Sequence, residues 1–158
     1  MNTTFFRDGH NHLSRLPPGP REPGGEGARR VGGRWNSPGR AIVYMAQSVA
    51  LAVLENLVHM SRQDYPTGYV VVAATVPDHV RIIGHHRYPE AKCPDFARAR
   101  AAGDHWLQSG ESAVLRVPSA VVAGDWNYLI NPQHLDFAQI SIEPPKAFQF
   151  DERLFEGK

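Results

Sequence analysis

The sequence predicts a single α+β domain built on a mixed β-sheet with a few helices. Three observations carry that reading. Short runs of β-branched and aromatic residues recur along the chain, AIVYM at 41–45, YVVVAATV at 69–76 and AVLRV at 113–117. Two segments, 49–60 and 96–108, instead carry apolar residues at helical spacing. No internal repeat or low-complexity array is present, and strands and helices do not alternate in the strict order of a doubly wound fold. At 158 residues the chain is one domain's worth, long enough to bury a core.

Taken in order, residues 1–24 read as an irregular arm, because Pro17, Pro18, Pro20, Pro23 and several glycines break any periodicity. Irregularity is expected to continue to residue 30. Residues 32–39 read as a compact glycine loop, 41–45 as a strand, and Ser48 as the N-cap of a helix over 49–60. On that helix Val49, Val53, Leu54, Leu57 and Met60 form the expected buried stripe, widened by Leu51 and Val58, with Glu55 just outside it. Asp64, Pro66 and Gly68 suggest a turn. The run 69–76 is apolar at successive positions and reads as one central strand buried on both faces. A short strand at 80–83 and a loop at 84–94 follow. The helix at 96–108 is expected to bend near Gly103 and to turn Arg98 and Arg100 outward. Strands are then expected at 113–117 and 119–123, a loop at 124–132, a strand at 137–142, and a terminal strand or arm at 148–154.

Composition excludes several classes. The hydrophobic fraction of 42% and charged fraction of 21% are ordinary for a globular protein. A net charge of +1 provides no global field for nucleic acid or membrane. One cysteine, Cys93, gives neither an intrachain disulfide nor a thiolate cluster. No apolar run approaches the roughly 18 residues of a membrane span, and the first residues lack the apolar segment of a signal peptide. A cytoplasmic location is expected. His10 and His12 lack a spaced partner, and His59, His85, His86, His105 and His134 show no HExxH pattern, so no metal site is expected.

Chemistry concentrates in residues 32–59. Glycines beside Arg34 leave backbone N–H groups open, and its guanidinium suits either a pyrophosphate or a structural carboxylate. Tyr44, at a strand end, either stacks on a planar group or is a core tyrosine with a satisfied hydroxyl. Glu55 either stabilises positive charge at a sugar carbon, or orients a ribose hydroxyl, or is an exposed helix glutamate. Ser119 follows Pro118 and is rigidly held, but its surroundings are not the GxSxG of a serine hydrolase. Asn127 and Asn131 lie in the amide-rich segment after it.

Four segments in order, GEGARRVGGRWNSPG, IVYMAQSVALAVLENLVH, VLRVPSAVV and WNYLINPQHLDFAQI, resemble the RES domain, named for an Arg, a Glu and a Ser. The resemblance spans 25–140 and places a RES domain over 25–158. Family members usually enter through an apolar strand with an Arg, where this chain has its proline-rich arm. The resemblance implies a fold like that of ADP-ribosyltransferases, with a split β-sheet core. It puts the family's arginine, tyrosine, glutamate and serine on Arg34, Tyr44, Glu55 and Ser119. It also implies a toxin of a RES–Xre toxin–antitoxin pair that degrades NAD⁺ in the bacterial cytoplasm by hydrolysis or phosphorolysis. In that role Arg34 holds the pyrophosphate, Tyr44 stacks on nicotinamide, Glu55 acts on the ribose, Ser119 orients the ribose or Glu55, and Asn127 contacts substrate. NAD⁺ is then the substrate and no further cofactor is expected. The implied partner is an Xre-like antitoxin with a helix-turn-helix domain, and a homodimer is compatible with the pattern. Two alternatives stay open: ADP-ribosyl transfer to a macromolecule, and a catalytically weak module that mainly binds its antitoxin.

Overall fold

The structure, a computed structural model, describes residues 24–60, 67–88 and 95–155. The expected arm, His10 and His12, Cys93, and Asp64 and Pro66 of the expected turn lie outside those residues. The described elements are helix α1 (Glu26–Val31), strand β1 (Val43–Ala46), helix α2 (Val49–Leu57), strands β2 (Tyr69–Val71), β3 (Ala74–Thr75) and β4 (Ile82–Gly84), helix α3 (Phe96–Ser109), and strands β5 (Val114–Pro118), β6 (Trp126–Ile130), β7 (Ser141–Ile142) and β8 (Lys146–Phe148). Short 3₁₀ turns cover His85–Arg87, Leu135–Gln139 and Glu152–Leu154. The α+β class with a mixed sheet is thus the observed one.

The principal sheet has the order β1-β6-β5-β4, with β4 and β5 parallel and the other pairs antiparallel. Its register puts Tyr44, Leu129 and Leu115 side by side, and Ala46, Asn127 and Val117 two positions further along the same face. That face packs under α3, where Ala99, Ala102 and the fully buried Trp106 meet Leu115, Val117, Leu129 and Trp35. The Trp106 indole N–H donates to Ser112 Oγ, which satisfies its one polar atom in the core. The opposite face, with Val43, Met45, Val114 and Ile130, packs on Ala74, Val76, Val80 and Ile140. The ribbon formed by β3 and β7 therefore covers the second face.

Several expectations need correction. Residues 26–31 form a short helix, tied by Glu26 to Arg29 and Arg30, rather than an irregular arm. Residues 69–76 are not one central strand. They break into β2, which pairs with β8, and β3, which pairs with β7, so each piece belongs to a two-stranded ribbon. Residues 126–130, read as loop, form β6, with partners on both sides in the principal sheet. Conversely, 119–123 is a turn: Ser119 Oγ accepts from the N–H groups of Val121 and Val122, which removes them from any ladder. The region 137–142 is mostly a 3₁₀ turn followed by two strand residues, and the terminal strand comes earlier, at β8.

α2 is capped by Ser48 as expected, its Oγ accepting from Leu51 N at 3.1 Å. Its buried face differs from the expected one. Leu51 is buried as expected, but its buried neighbour is Ala52, whereas Leu54 and Val58 of the expected stripe are 42% and 57% exposed. Positions 48, 51, 52 and 55 share one side of a helix, so Glu55 lies on the inward side and is half-buried. α3 runs uninterrupted through Gly103. That glycine serves a close approach: a Cβ there would stand 1.8 Å from the Trp35 carbonyl oxygen. No helix of the described residues is long and apolar enough to cross a membrane.

Candidate active site

The glycine loop is held along one side of α3. Phe96, Arg100 and Asp104 recur every four residues, with Gly103 three after Arg100, and so line one helix face. Arg100 Nε donates to Gly33 O at 3.2 Å, and Asp104 accepts from Ser37 N at 2.9 Å and from Ser37 Oγ. Arg40 pairs with the same carboxylate at 3.4 Å. Arg34 and Arg100 both approach the Phe96 ring, with guanidinium carbons 5.8 and 5.1 Å from its centroid. Arg100 is therefore a brace of the loop rather than an outward surface residue. Arg98 does face outward, as expected.

A buried asparagine organises the loop from inside. Asn36 is fully buried, and its Nδ2 donates to Ala28 O and Arg40 O, both at 2.8 Å. Its Oδ1 accepts from the Tyr44 hydroxyl at 2.7 Å, and that hydroxyl accepts from Trp35 N at 3.0 Å. The Tyr44 oxygen is thus engaged in holding the residue next to Arg34, and its ring packs at the edge of the core beneath α3. Sequence reasoning missed Asn36 and Arg100. The signal for Asn36 was an amide between two candidate residues in a loop too short to hydrate it.

The second cluster surrounds Glu55. Its Oε1 accepts from Ser119 Oγ at 2.7 Å and from Asn127 Nδ2 at 2.6 Å. Ser119 stands just past the end of β5, and its backbone N–H donates to Asp125 O at 2.9 Å, closing the turn into β6. The serine oxygen accepts from two backbone N–H groups, so its single proton is directed at Glu55. Asn127 reaches the same oxygen from the middle of the sheet, between Ala46 and Val117. Among the described residues no donor reaches Glu55 Oε2.

Glu55, Ser119 and Asn127 are thus brought into one hydrogen-bonded group. Tyr44 lies on the same sheet face as Asn127, two positions along the register, and carries Arg34's loop by its hydroxyl. Asn131 does not join them. It is buried, its Oδ1 accepts from Gln133 N at 3.0 Å, and it caps the turn after β6. Among the described residues no group of three His, Cys, Asp or Glu side chains is placed to hold a metal ion.

Comparison with known proteins gives this arrangement a family. The model of the RES domain matches residues 12–151. A protein of Sphingobium sp. (strain YBL2) known as Prs ADP-ribosylating toxin is 38% identical over 137 residues, covering 82% of this chain and 84% of that one. A Yersinia enterocolitica protein known as Toxin Res is 37% identical over 134 residues, covering 82% and 88%. A chain of the M. tuberculosis MbcT–MbcA toxin–antitoxin complex superposes with a TM-score of 0.62 over 98% of this chain and 86% of its own, at 19% identity, which shows a shared fold. The chain belongs to the RES domain family.

Proposed function

We propose that this chain is the toxin of a bacterial toxin–antitoxin pair and that it acts by cleaving the nicotinamide–ribose bond of NAD⁺. The C1′–N bond breaks with its electron pair leaving on nicotinamide, and the ribose carbon takes on oxocarbenium character. Water or phosphate supplies the new C1′–O bond and gives up a proton. A fixed carboxylate beside C1′ lowers that barrier by preorganised electrostatics. The observation that supports this reading is the posture of Glu55: one carboxylate oxygen is gripped by Ser119 and Asn127, and the other has no donor among the described residues. Arg34, beside the glycines of its loop, holds the pyrophosphate, and the Tyr44 ring lies against nicotinamide. NAD⁺ is the substrate and no further cofactor takes part. The partner is an Xre-like antitoxin carrying a helix-turn-helix domain, and the setting is the cytoplasm.

The test is incubation of the purified protein with NAD⁺, with and without inorganic phosphate. Free nicotinamide with ADP-ribose marks hydrolysis, and nicotinamide with a phosphorylated ADP-ribose marks phosphorolysis. Glu55→Gln lowers the rate by about 10²–10³-fold on this reading, and an unchanged rate rejects it. A second reading keeps the same cleft but passes ADP-ribose to a macromolecule. It is favoured by the Sphingobium relative, which is called an ADP-ribosylating toxin. Label from adenine-labelled NAD⁺ appearing in protein or nucleic acid, with little free ADP-ribose, selects that reading.

A further inference from the structure

Asparagine suits its place at position 127 poorly. The residue sits in β6, paired on both sides, where it faces Ala46 and Val117. Strand interiors of this kind favour β-branched and aromatic side chains and are depleted in Asn. Moreover its Oδ1 is buried and accepts no hydrogen bond among the described residues, an arrangement that works against stability. The amide's bond within the described residues is the donation from Nδ2 to Glu55 Oε1 at 2.6 Å.

A glutamate has three side-chain torsions and loses considerable rotamer freedom when held. One donor, Ser119, fixes a point on the carboxylate but leaves it able to pivot about that point. A second donor on the same oxygen, arriving from the neighbouring strand, removes the pivot. We propose that Asn127 is a positioning residue whose amide N–H sets the orientation of Glu55, so that Oε2 rather than Oε1 faces the reacting ribose carbon. The buried Oδ1 is closed to a ribose hydroxyl, so its carbonyl makes no substrate contact. This inference rests on the reading of Glu55 given above.

Asn127→Val tests it. Valine suits the strand, removes the orphaned acceptor and deletes the donor. The expected result is a melting midpoint no lower than the parent's, kcat for NAD⁺ consumption lowered by about 10–100-fold, and KM changed by less than about threefold. A raised KM at unchanged kcat overturns the proposal in favour of a substrate contact. A lower melting midpoint with unchanged kcat overturns it in favour of a purely structural role. Asn127→Ser guards against a folding failure: its shorter side chain falls short of Glu55, and parental kcat in that variant also overturns the proposal. Glu55→Gln measured alongside separates the two levels. Parental activity in it rejects the reading of Glu55 itself. An inactive Glu55→Gln beside a fully active Asn127→Val rejects only the positioning role.

Discussion

Replacing Gly103 by alanine pits two opposing effects against each other, and the structure decides which wins. In an unconstrained helix interior Ala is favoured over Gly by about 1 kcal/mol, through backbone entropy and propensity. At this position the new methyl carbon would lie 1.8 Å from the Trp35 carbonyl oxygen and 2.8 Å from its carbonyl carbon. Ordinary contact begins near 3.4 Å, so α3 and the loop must part by about 1.6 Å in a densely packed region. The obstructing atoms are backbone, and their segment is anchored by Asn36 on one side and by Asp104 on the other. Overpacking of this kind costs about 1–3 kcal/mol and occasionally more. The net expectation is a loss of about 2 kcal/mol, the overpacking outweighing the propensity gain. For a domain of this size that is a fall in Tm of about 4–8 °C, measured by circular dichroism or calorimetry. On the function proposed above, in which Arg34 beside Trp35 holds the pyrophosphate, the same displacement raises KM for NAD⁺ more than it lowers kcat. A variant as stable as the parent, or more so, refutes the close-approach argument and leaves the glycine as a simple helix defect.

Two further outcomes follow from the site's surroundings. Asn36→Leu removes one donor from each of the Ala28 and Arg40 carbonyls and the acceptor of the Tyr44 proton, while Ala28 O keeps the Gly32 N–H and the Tyr44 oxygen keeps the Trp35 N–H; at about 1–3 kcal/mol for an unsatisfied buried group, urea denaturation is expected to show a loss of about 2 kcal/mol, and a loss below about 1 kcal/mol refutes the accounting. The Glu111 carboxyl lies below the usual carboxylate range because Arg87 hydrogen-bonds it at 2.7 Å, with further help from Arg81. A lowered carboxyl contributes stability that is fully present above its unfolded value near 4.5 and is lost as pH falls through the folded one. Glu111→Gln therefore narrows the gap in Tm between about pH 6 and pH 3 relative to the parent, and an unchanged gap refutes the assignment.

Sequence alone was informative where local chemistry and tertiary demand agree. Ser48 as a cap, the strand expected at 41–45 and found at Val43–Ala46, the strand expected at 113–117 and found at Val114–Pro118, and the helix beginning at Phe96 are all set by short-range signals. It failed where the sheet overrides composition. Asn127, with Gly124 before it and Pro132 after it, makes a loop signature, yet the segment between them is paired on both sides because its apolar neighbours Leu129 and Ile130 fill both cores. The face of α2 was misjudged for a related reason. Leu54 and Val58 are the more apolar choices, but Leu51 with the small Ala52 is what fits against β1, and that choice turns Glu55 inward. The glutamate and serine were visible as candidates. Their contact was not, because the partners of Glu55 are separated from it by 64 and 72 positions.

The place of β6 also has a consequence for biosynthesis. In the principal sheet β1 is joined to the others through β6, which enters the chain more than eighty positions after β1 begins. A nascent chain that has emerged only as far as Ser119 carries the arginine loop, the tyrosine and the glutamate, but β1 has no neighbour and Glu55 lacks its amide donor. On the function proposed above, the site is therefore completed late in synthesis, when Trp126–Ile130 slots between the two halves. On that reading, fragments ending before residue 126 lack the Asn127 donor however much of the motif they contain, and splitting the chain at the Ser119–Asp125 turn yields two pieces that must reassociate to complete the Glu55 cluster.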